Sequence, residues 1–255
     1  MAAKNWFARW KKKAQPGRKG GKNAGTVKGA VRDMLQTPLG RRLVKICIFI
    51  AALPFVLTLL YSVLPPVSTP MLARLLTGRE VNRIWTPLEA ISPALQRSVI
   101  ASEDARFCEH GGVDWGALKT QITRLDDGSD VRGASTITMQ LAKNLFLWNS
   151  RSYIRKGLEI PLALWIDLML SKRRVFELYL NVAEWGDGIF GIEAAARHYY
   201  NKSADKLTRT EAARLATALP NPILRNPLKL SRRHASHART IRKRADIGRY
   251  LLDCM

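Results

Sequence analysis

The sequence predicts a mainly α-helical domain behind one N-terminal transmembrane helix. Residues 46–64 form a run of 19 residues without a charge, and apolar residues beyond this run recur at helical spacing. No alternating run is long enough for a convincing β-strand. With 255 residues, 47% of them hydrophobic, the chain can bury one substantial core or a core and a small lobe, so a disordered chain is excluded.

A bilayer-crossing helix is predicted by the apolar run ICIFIAALPFVLTLLYSVL, because about 20 apolar residues span the hydrocarbon core. Pro54 is tolerable there, since neighbouring groups can satisfy the backbone that it disturbs. A cleaved signal peptide is the alternative. The run is longer than the usual ~7–15 residues and no small-x-small cleavage site follows it, so we expect an uncleaved anchor.

The net charge of +22 is carried mainly by the two ends of the chain. Residues 1–45 contribute +12 and residues 225–255 contribute +7, which leaves +3 for the middle. The positive-inside rule predicts that the basic tail, residues 1–45, is cytoplasmic and that everything after about Pro65 lies outside, beginning with a connector over residues 65–86. Nucleic acid is therefore not expected as a partner. Residues 225–255 are expected to form a basic helical segment, and its amphipathic last part would suit the outer face of the membrane or an acidic partner.

The first helix beyond the anchor is predicted in SPALQRSVIASEDARF, with Ser92 as N-cap and Pro93 as its first residue. Glu103 then falls near the C-terminal end. That end of a helix favours cations, so an acid there does not serve helix stability. Glu103 is thus a candidate functional carboxylate, with a solvated surface carboxylate as the alternative.

A second helix is predicted in ASTITMQLAKNLFL, with Ser135 as N-cap. Thr136, Gln140 and Lys143 would share one face at three- and four-residue spacing. This face is too polar for ordinary core, so it is either a solvated surface or the lining of a site. The preceding loop, LDDGSDVRG, lacks the ligand spacing of a calcium loop and is interpreted as a flexible linker.

A third helical segment, SRSYIRKGLEIPLALWID, places Arg151, Arg155 and Glu159 four residues apart. We expect Pro161 to bend or restart this helix. An exposed Arg155–Glu159 pair would contribute only about 0.2–0.5 kcal/mol. Together with Lys143, however, the arginines would suit an anionic phosphate leaving group.

The three cysteines are scattered along the chain. Cys47 lies in the apolar run, Cys108 follows Glu103 and Cys254 is next to last. These positions indicate neither a disulfide framework nor a metal site. We therefore expect free thiols, with a Cys108–Cys254 bridge as the minor alternative.

Four segments together resemble the ordered motifs of the peptidoglycan glycosyltransferases. They are EDARFCEHGG, GASTITMQLAKNLFL, RKGLEIPLALWID continuing through SKRRVFELYLN, and EWGDGIFGIEAAARHYY. The resemblance runs from about Pro87 to Pro222, in the family's order and spacing. Four motifs are highly specific where any one would be weak. The length is closest to the monofunctional members of this family, which also includes the transglycosylase domain of bifunctional penicillin-binding proteins.

The resemblance implies a lysozyme-like, two-lobed glycosyltransferase domain over residues 87–224. It implies polymerisation of lipid II into β-1,4-linked glycan strands with release of polyprenyl diphosphate. The family's catalytic acids match Glu103, the base on the acceptor hydroxyl, and Glu159, which assists at the diphosphate. The positions that are expected to bind substrate are Asp104, Ser135, Thr136, Gln140, Lys143, Asn144, Arg151 and Arg155.

Partners, cofactor and location are also implied by the resemblance. The partners would be lipid II, the growing glycan strand and the membrane, with other cell-wall synthesis or division proteins as further candidates. A divalent cation, Mg²⁺ or Mn²⁺, is the candidate cofactor, with Glu159 as candidate ligand, and no organic cofactor is expected. The catalytic domain would lie in the periplasm, anchored in the bacterial inner membrane by a single pass with a cytoplasmic N-terminus.

Two positions depart from the family pattern. Asp167 stands where the third motif usually has Glu, which would shorten a structural salt bridge. Asn201 replaces a usual Gly, and Asn is tolerated there if the backbone is left-handed.

The chemistry can also be argued from the reaction. A sugar held through an α-phosphate becomes β-linked by one in-line displacement, which needs a base on one side of the anomeric carbon and charge stabilisation on the other. An apolar setting beside Phe107, with Asp104 as a like-charged neighbour, would raise the pKa of Glu103 and suit it as the base. A membrane-anchored lysozyme-like muramidase is the alternative function; it would share this acid but would have no use for a cationic phosphate site.

Overall fold

The computed structural model describes residues 36–126, 133, 135–150 and 152–255. Most of the predicted basic tail, residues 127–132 of the predicted linker and Arg151 therefore lie outside the described residues. The chain divides into two compact units, of which the first ends at Ala51 and the second runs from Ala52 to Met255. The second unit contains all four segments that resemble the family motifs.

The first helix, α1, covers Pro38–Leu60 and contains Pro54. Within the described part of the chain it is the one helix that is long and apolar enough to cross a membrane, with a mean hydropathy of 2.6. The predicted helix over residues 46–64 is therefore present, but its bounds are shifted toward the N-terminus. Such a helix is consistent with a membrane anchor.

The remaining structure is mainly helical, as predicted. The further helices are α2 (Thr69–Leu76), α3 (Pro93–Glu103), α4 (Trp115–Asp126), α5 (Ile137–Phe146), α6 (Tyr153–Met169), α7 (Lys172–Val182), α8 (Ile192–Tyr200), α9 (Arg209–Ala218) and α10 (Arg232–Ile247). Three short strands, β1 (Asn82–Arg83), β2 (Glu184–Gly186) and β3 (Ile189–Phe190), form a sheet in the order β1-β3-β2. Strands of two or three residues are too short to produce an alternating pattern, which is why the sequence did not predict them.

Two groups of packed helices position the site. Helix α3 packs against α9 and α10, and α5 packs against α6 and α7. Large side chains are fully buried in and around these groups, and each contributes about 1.5–3 kcal/mol by leaving water; they include Leu95 and Ile100 on α3, Phe176 and Tyr179 on α7, and Phe107 in the loop after α3. The C-terminal helix is therefore part of the packed domain. Its buried residues, Ala238, Ile241 and Ala245, face the core.

Most of the predicted helix boundaries are present, with two corrections. Ser92 and Pro93 begin α3, but the Ser92 hydroxyl donates to the carbonyl oxygen of Leu207, 3.1 Å away, and does not cap the helix. The N-cap of α5 is Thr136 and not Ser135. Its hydroxyl accepts a hydrogen bond from the Met139 amide at 3.1 Å. The two residues compete for this position because both are short hydroxyl side chains next to the first helical turn.

The positions singled out in later motifs also have clear local structures. Asn201 adopts the left-handed conformation, with φ 52° and ψ 40°, as its replacement of Gly predicts. Asp167 accepts a 2.7 Å hydrogen bond from Lys172 and forms a salt bridge with it. The prediction that Pro161 restarts the helix is wrong, because α6 continues through it. An uninterrupted helix at this point keeps residues on either side of Pro161 on one rigid element.

The prediction of free thiols outside the membrane segment is wrong. Cys108 and Cys254 form a disulfide with a Cα–Cα distance of 5.5 Å, and Cys47 is free. The two bridged cysteines are separated by 146 residues in sequence. Spacing rules fail here because a bridge over that distance is decided by packing of the C-terminal segment and not by a local motif.

Candidate active site

Glu103 is the last residue of α3, and its carboxylate accepts two side-chain hydrogen bonds. Ser102 donates to Oε1 at 3.2 Å, and Gln140 on α5 donates to Oε2 through its Nε2 at 3.0 Å. The other end of the Gln140 amide is also hydrogen-bonded, because the Tyr179 hydroxyl on α7 donates to its Oε1 at 3.1 Å. This chain of contacts joins the two helix groups at the carboxylate.

Burial is the main reason why the pKa of Glu103 is raised above its ordinary value. The hydrogen bonds from Gln140 and Ser102 and the charge of Arg225 lower this pKa, while the charge of Asp104 raises it slightly. The predicted direction is therefore confirmed. The dominant cause is removal of the carboxylate from water, and the like-charged neighbour contributes least.

Asp104 and Thr136 hold the N-terminal end of α5 in place. The carboxylate of Asp104 accepts from the Ile137 amide at 3.0 Å and lies 2.9 Å from the Nε2 of His110. The Thr136 hydroxyl donates to the carbonyl oxygen of Gly112 at 2.6 Å. The structure therefore gives these two predicted substrate-binding residues supporting contacts behind the site, where they set the position of α5 relative to Glu103.

Glu159 is the centre of an ion-pair cluster on α6. Its side chain is buried, with one oxygen paired with Arg155 and the other 2.6 Å from the Nζ of Lys156. Lys156 also donates to the hydroxyl of Ser135 at 2.8 Å. Arg155 and Glu159 therefore do not form the exposed surface pair that was the alternative interpretation of this motif. Lys156 completes the cluster. It lies within the predicted motif but was not among the predicted site residues.

Lys143 on α5 faces the same region and has no direct partner there. Among the described residues, its ammonium group makes no hydrogen bond or ion pair. Burial lowers its pKa, the charges of Arg155 and Lys156 lower it further, and the carboxylates of Glu159 and Glu103 raise it. A partly buried cation that makes no direct ion pair can bind an anion without first giving up a bound partner.

One cavity of about 1140 Å³ joins these groups. Its walls carry both the candidate base and the ion-pair cluster, and the predicted residues along it are Glu103, Ser135, Gln140, Lys143, Arg155 and Glu159. Asn144 lies in an adjoining cavity of about 280 Å³, which it shares with Gln140 and Lys143. Arg151 lies outside the described residues, so the structure does not locate it.

A further wall of the large cavity was not predicted. It comes from the C-terminal part of the chain, with Arg225, Arg233, His234, Ser236, His237 and Thr240. Burial lowers the pKa of His237, as do the nearby charges of Arg244, Arg225 and His234. The sequence showed only a basic segment with two histidines, and nothing in that composition indicates which face of a helix meets a cavity.

The residues around Glu159 do not form a metal site by themselves. Both of its oxygens are occupied by cationic partners, Arg155 and Lys156. In the described part of the chain, no group of three or more His, Cys, Asp or Glu side chains could hold a metal ion. Magnesium usually binds through one or two carboxylates together with substrate phosphates, and here the carboxylate is already neutralised.

Comparison with known proteins identifies the family. A family model described as transglycosylase matches residues 69–246. A biosynthetic peptidoglycan transglycosylase of Brucella suis biovar 1 (strain 1330) is 55% identical over 203 residues, which cover 79% of this chain and 91% of the relative. Relatives with the same name are similar in Agrobacterium fabrum, at 49% identity over 219 residues covering 85% and 97%, and in Rhodopseudomonas palustris (strain HaA2), at 52% over 195 residues covering 74% and 86%.

These matches agree with the fold, and the matched range covers the residues around the cavity. The mainly α-helical architecture is that of the lysozyme-like transglycosylase domain. The matched range contains all four motifs and most of α10. The chain therefore belongs to the transglycosylase family and is a peptidoglycan glycosyltransferase.

Proposed function

We propose that this enzyme polymerises lipid II into β-1,4-linked glycan strands and releases polyprenyl diphosphate. One observation carries the proposal. A single cavity is lined by a partly buried carboxylate with a raised pKa, Glu103, and by cationic groups that include Lys143, which makes no direct ion pair among the described residues. An inverting displacement needs these two halves, a base at the acceptor and positive charge at the leaving group.

In the proposed reaction, Glu103 accepts the proton of the acceptor's 4-hydroxyl group. As the O–H bond breaks, the oxygen forms a bond to the anomeric carbon of the donor from the face opposite the diphosphate. The bond from that carbon to the phosphate oxygen breaks, and the diphosphate leaves with the electron pair. One displacement of this kind converts an α-phosphate into a β-linkage.

The cationic groups stabilise the charge that develops on the leaving diphosphate. Lys143 makes no direct ion pair among the described residues, although the carboxylates of Glu159 and Glu103 act on it from a greater distance. It can therefore bind a phosphate oxygen without breaking an existing ion pair. Arg155 and Lys156 are held by Glu159, which fixes their positions and limits their net charge. Arg151 is proposed to join this group, as the family motif implies. A divalent cation at Glu159 stays a proposal that no step of this mechanism requires.

The location follows from the anchor and the charges. Helix α1 is apolar over the length of a membrane span, and residues 1–45 carry a net charge of +12. We therefore place the basic end in the cytoplasm and the catalytic domain in the periplasm, with α1 in the bacterial inner membrane. This arrangement brings the active site to the side where glycan strands are assembled.

Incubation of the purified full chain with labelled lipid II tests the proposal. We expect long glycan products on a gel, and these products should be degraded by added lysozyme. The muramidase alternative predicts the reverse activity, in which preformed glycan strands are shortened and lipid II is left unchanged. Absence of polymer from a folded protein that binds lipid II would overturn the proposed reaction.

A further inference from the structure

We infer that Tyr179 is a positioning residue that orients the Gln140 amide and thereby keeps Glu103 in its ionised form. This inference rests on the proposed function, in which Glu103 is the base. It concerns a residue that contacts Glu103 only through Gln140, and it assigns that residue an effect on proton affinity.

The contacts form a directed chain. Tyr179 donates from its hydroxyl to Gln140 Oε1 at 3.1 Å, and Gln140 donates from Nε2 to Glu103 Oε2 at 3.0 Å. The tyrosine is 1% exposed, so its hydroxyl has almost no access to water. A buried hydroxyl without an acceptor is costly, and Gln140 supplies that acceptor.

The orientation of the amide decides which form of Glu103 is favoured. In the observed orientation, the NH₂ group faces Glu103, and only an acceptor, the carboxylate, pairs well with it. If the amide turned over, its oxygen would face Glu103, and a hydrogen bond would then require the protonated acid. The turned amide would also leave the hydroxyl proton of Tyr179 without this acceptor. Tyr179 therefore favours the orientation that stabilises the ionised base.

The tyrosine is well suited to act only as a donor. Burial raises its pKa well above the ordinary value, and the negative charges of Glu103 and Asp104 raise it further. Its hydroxyl therefore stays protonated throughout the working pH range. A donor that does not titrate gives the amide one constant orientation.

Other charged groups also act on Glu103 and have to be kept constant in any test. They come from the elements that line the cavities around the carboxylate: Asp104, Arg106 and Asp114 in the segment after α3, Lys143 on α5, Arg155, Lys156 and Glu159 on α6, Arg225 after α9, and Arg233, His234, His237 and Arg244 on α10. Tyr179 differs from all of them because it acts through a hydrogen-bonded amide and carries no charge. Its substitution by Phe therefore changes no charge in the cavity.

The test is the variant Tyr179→Phe in the full-length protein. Loss of the hydroxyl removes the preference for the observed amide orientation, so the protonated form of Glu103 becomes more favourable. We expect the acidic limb of the pH profile of kcat/KM to move to higher pH, while the plateau rate falls by no more than about tenfold. Tyr199→Phe is the matched control, because that hydroxyl donates to the backbone oxygen of Trp185 at 3.2 Å and should leave the limb unmoved.

The same substitution made in the Gln140→Ala variant distinguishes an effect through the amide of Gln140 from a general structural effect. Gln140→Ala removes the amide, so adding Tyr179→Phe to it should not move the limb further. The inference is overturned if Tyr179→Phe leaves the limb in place, or if it moves the limb equally in the presence and absence of Gln140. Carboxylate titration by infrared difference spectroscopy, with Glu103→Gln as reference, needs no substrate. It therefore tests Tyr179 even if lipid II proves not to be the substrate.

Discussion

Cys108 and Cys254 are joined by a disulfide although 146 residues separate them in sequence. Cys108 lies in the loop that follows Glu103, and Cys254 lies beyond α10, the helix that supplies one wall of the large cavity. The bridge therefore ties the end of the chain to the segment that carries the candidate base. It holds the C-terminal wall and this segment in one covalent frame.

Removal of the bridge should lower stability. In the chain-entropy model, closing a loop of this length restricts the unfolded chain by about 5 kcal/mol, and measured effects are typically about 2–4 kcal/mol. We expect Cys254→Ser to reduce the free energy of unfolding by about 2–4 kcal/mol, measured by denaturant unfolding of the oxidised protein. Cys47→Ser is the control. A reductant should destabilise the wild type and leave Cys254→Ser unchanged; equal effects on both proteins would contradict the role of the bridge.

Glu103→Gln should abolish most of the activity, because glutamine has a similar shape but cannot accept the proton. We expect turnover to fall by about 10²–10⁴-fold, with lipid II binding largely retained. Polymer formation under saturating lipid II measures this loss. Glu109→Gln, an exposed acid in the following loop, is the matched control and should remain active. Turnover of Glu103→Gln within threefold of wild type would remove Glu103 from the mechanism.

The pH dependence should reflect the raised pKa of Glu103. A base works only when it is deprotonated, so activity is lost as pH falls through this pKa. Because burial raises that pKa above the ordinary 4.5, the acidic limb of kcat/KM should lie at higher pH than for an exposed glutamate. Initial rates of lipid II polymerisation across a pH series locate the limb. Constant activity down to pH 4.5 would show that no group with a raised pKa acts as the base.

Lys143→Ala should weaken both binding of the donor and turnover. A charge-assisted contact to the diphosphate contributes about 1.5–3 kcal/mol, which corresponds to about 10–150-fold in kcat/KM. Kinetics with lipid II measure this loss, and Lys119→Ala, an exposed lysine on α4, is the control. The assignment fails if an analogue without the diphosphate distinguishes the wild type from Lys143→Ala as strongly as lipid II does.

Glu159→Gln should reduce turnover more than binding. The substitution leaves Arg155 and Lys156 without a negative partner, so the phosphate site becomes more positive while the two cations lose the contacts that position them. We expect kcat to fall by at least about tenfold with KM unchanged or lower, as measured by lipid II kinetics. Glu193→Gln is the control for stability, because Glu193 is also buried and paired with an arginine but does not line the large cavity. A rise in KM with unchanged kcat would contradict this role for Glu159.

Several features of the fold could be predicted from the sequence because their causes are local. The apolar run predicted α1, and helical spacing predicted α3 and α5. The left-handed conformation of Asn201 likewise depends on its own backbone and side chain. Steric limits, caps and periodicity act over a few residues, so they leave clear marks in the sequence.

The sequence also determined the residue types of the candidate site. Glu103 at a helix end does not stabilise the helix, and the helix face with Gln140 and Lys143 is too polar for a hydrophobic core. Both features therefore indicated functional residues. The four family motifs added the expected roles. The structure brings these residues to one cavity, while it places Thr136 and Asp104 in contacts that support the site.

Only the tertiary structure decided which distant groups act together. The contacts of Tyr179 with Gln140, of Lys156 with Ser135 and of Cys108 with Cys254 join residues 39, 21 and 146 positions apart. Burial of the Glu103 carboxylate, which raises its pKa, likewise depends on packing from several helices. Hydrogen bonds and desolvation depend on distances in space, and a linear pattern of residues does not determine those distances until the helices have packed.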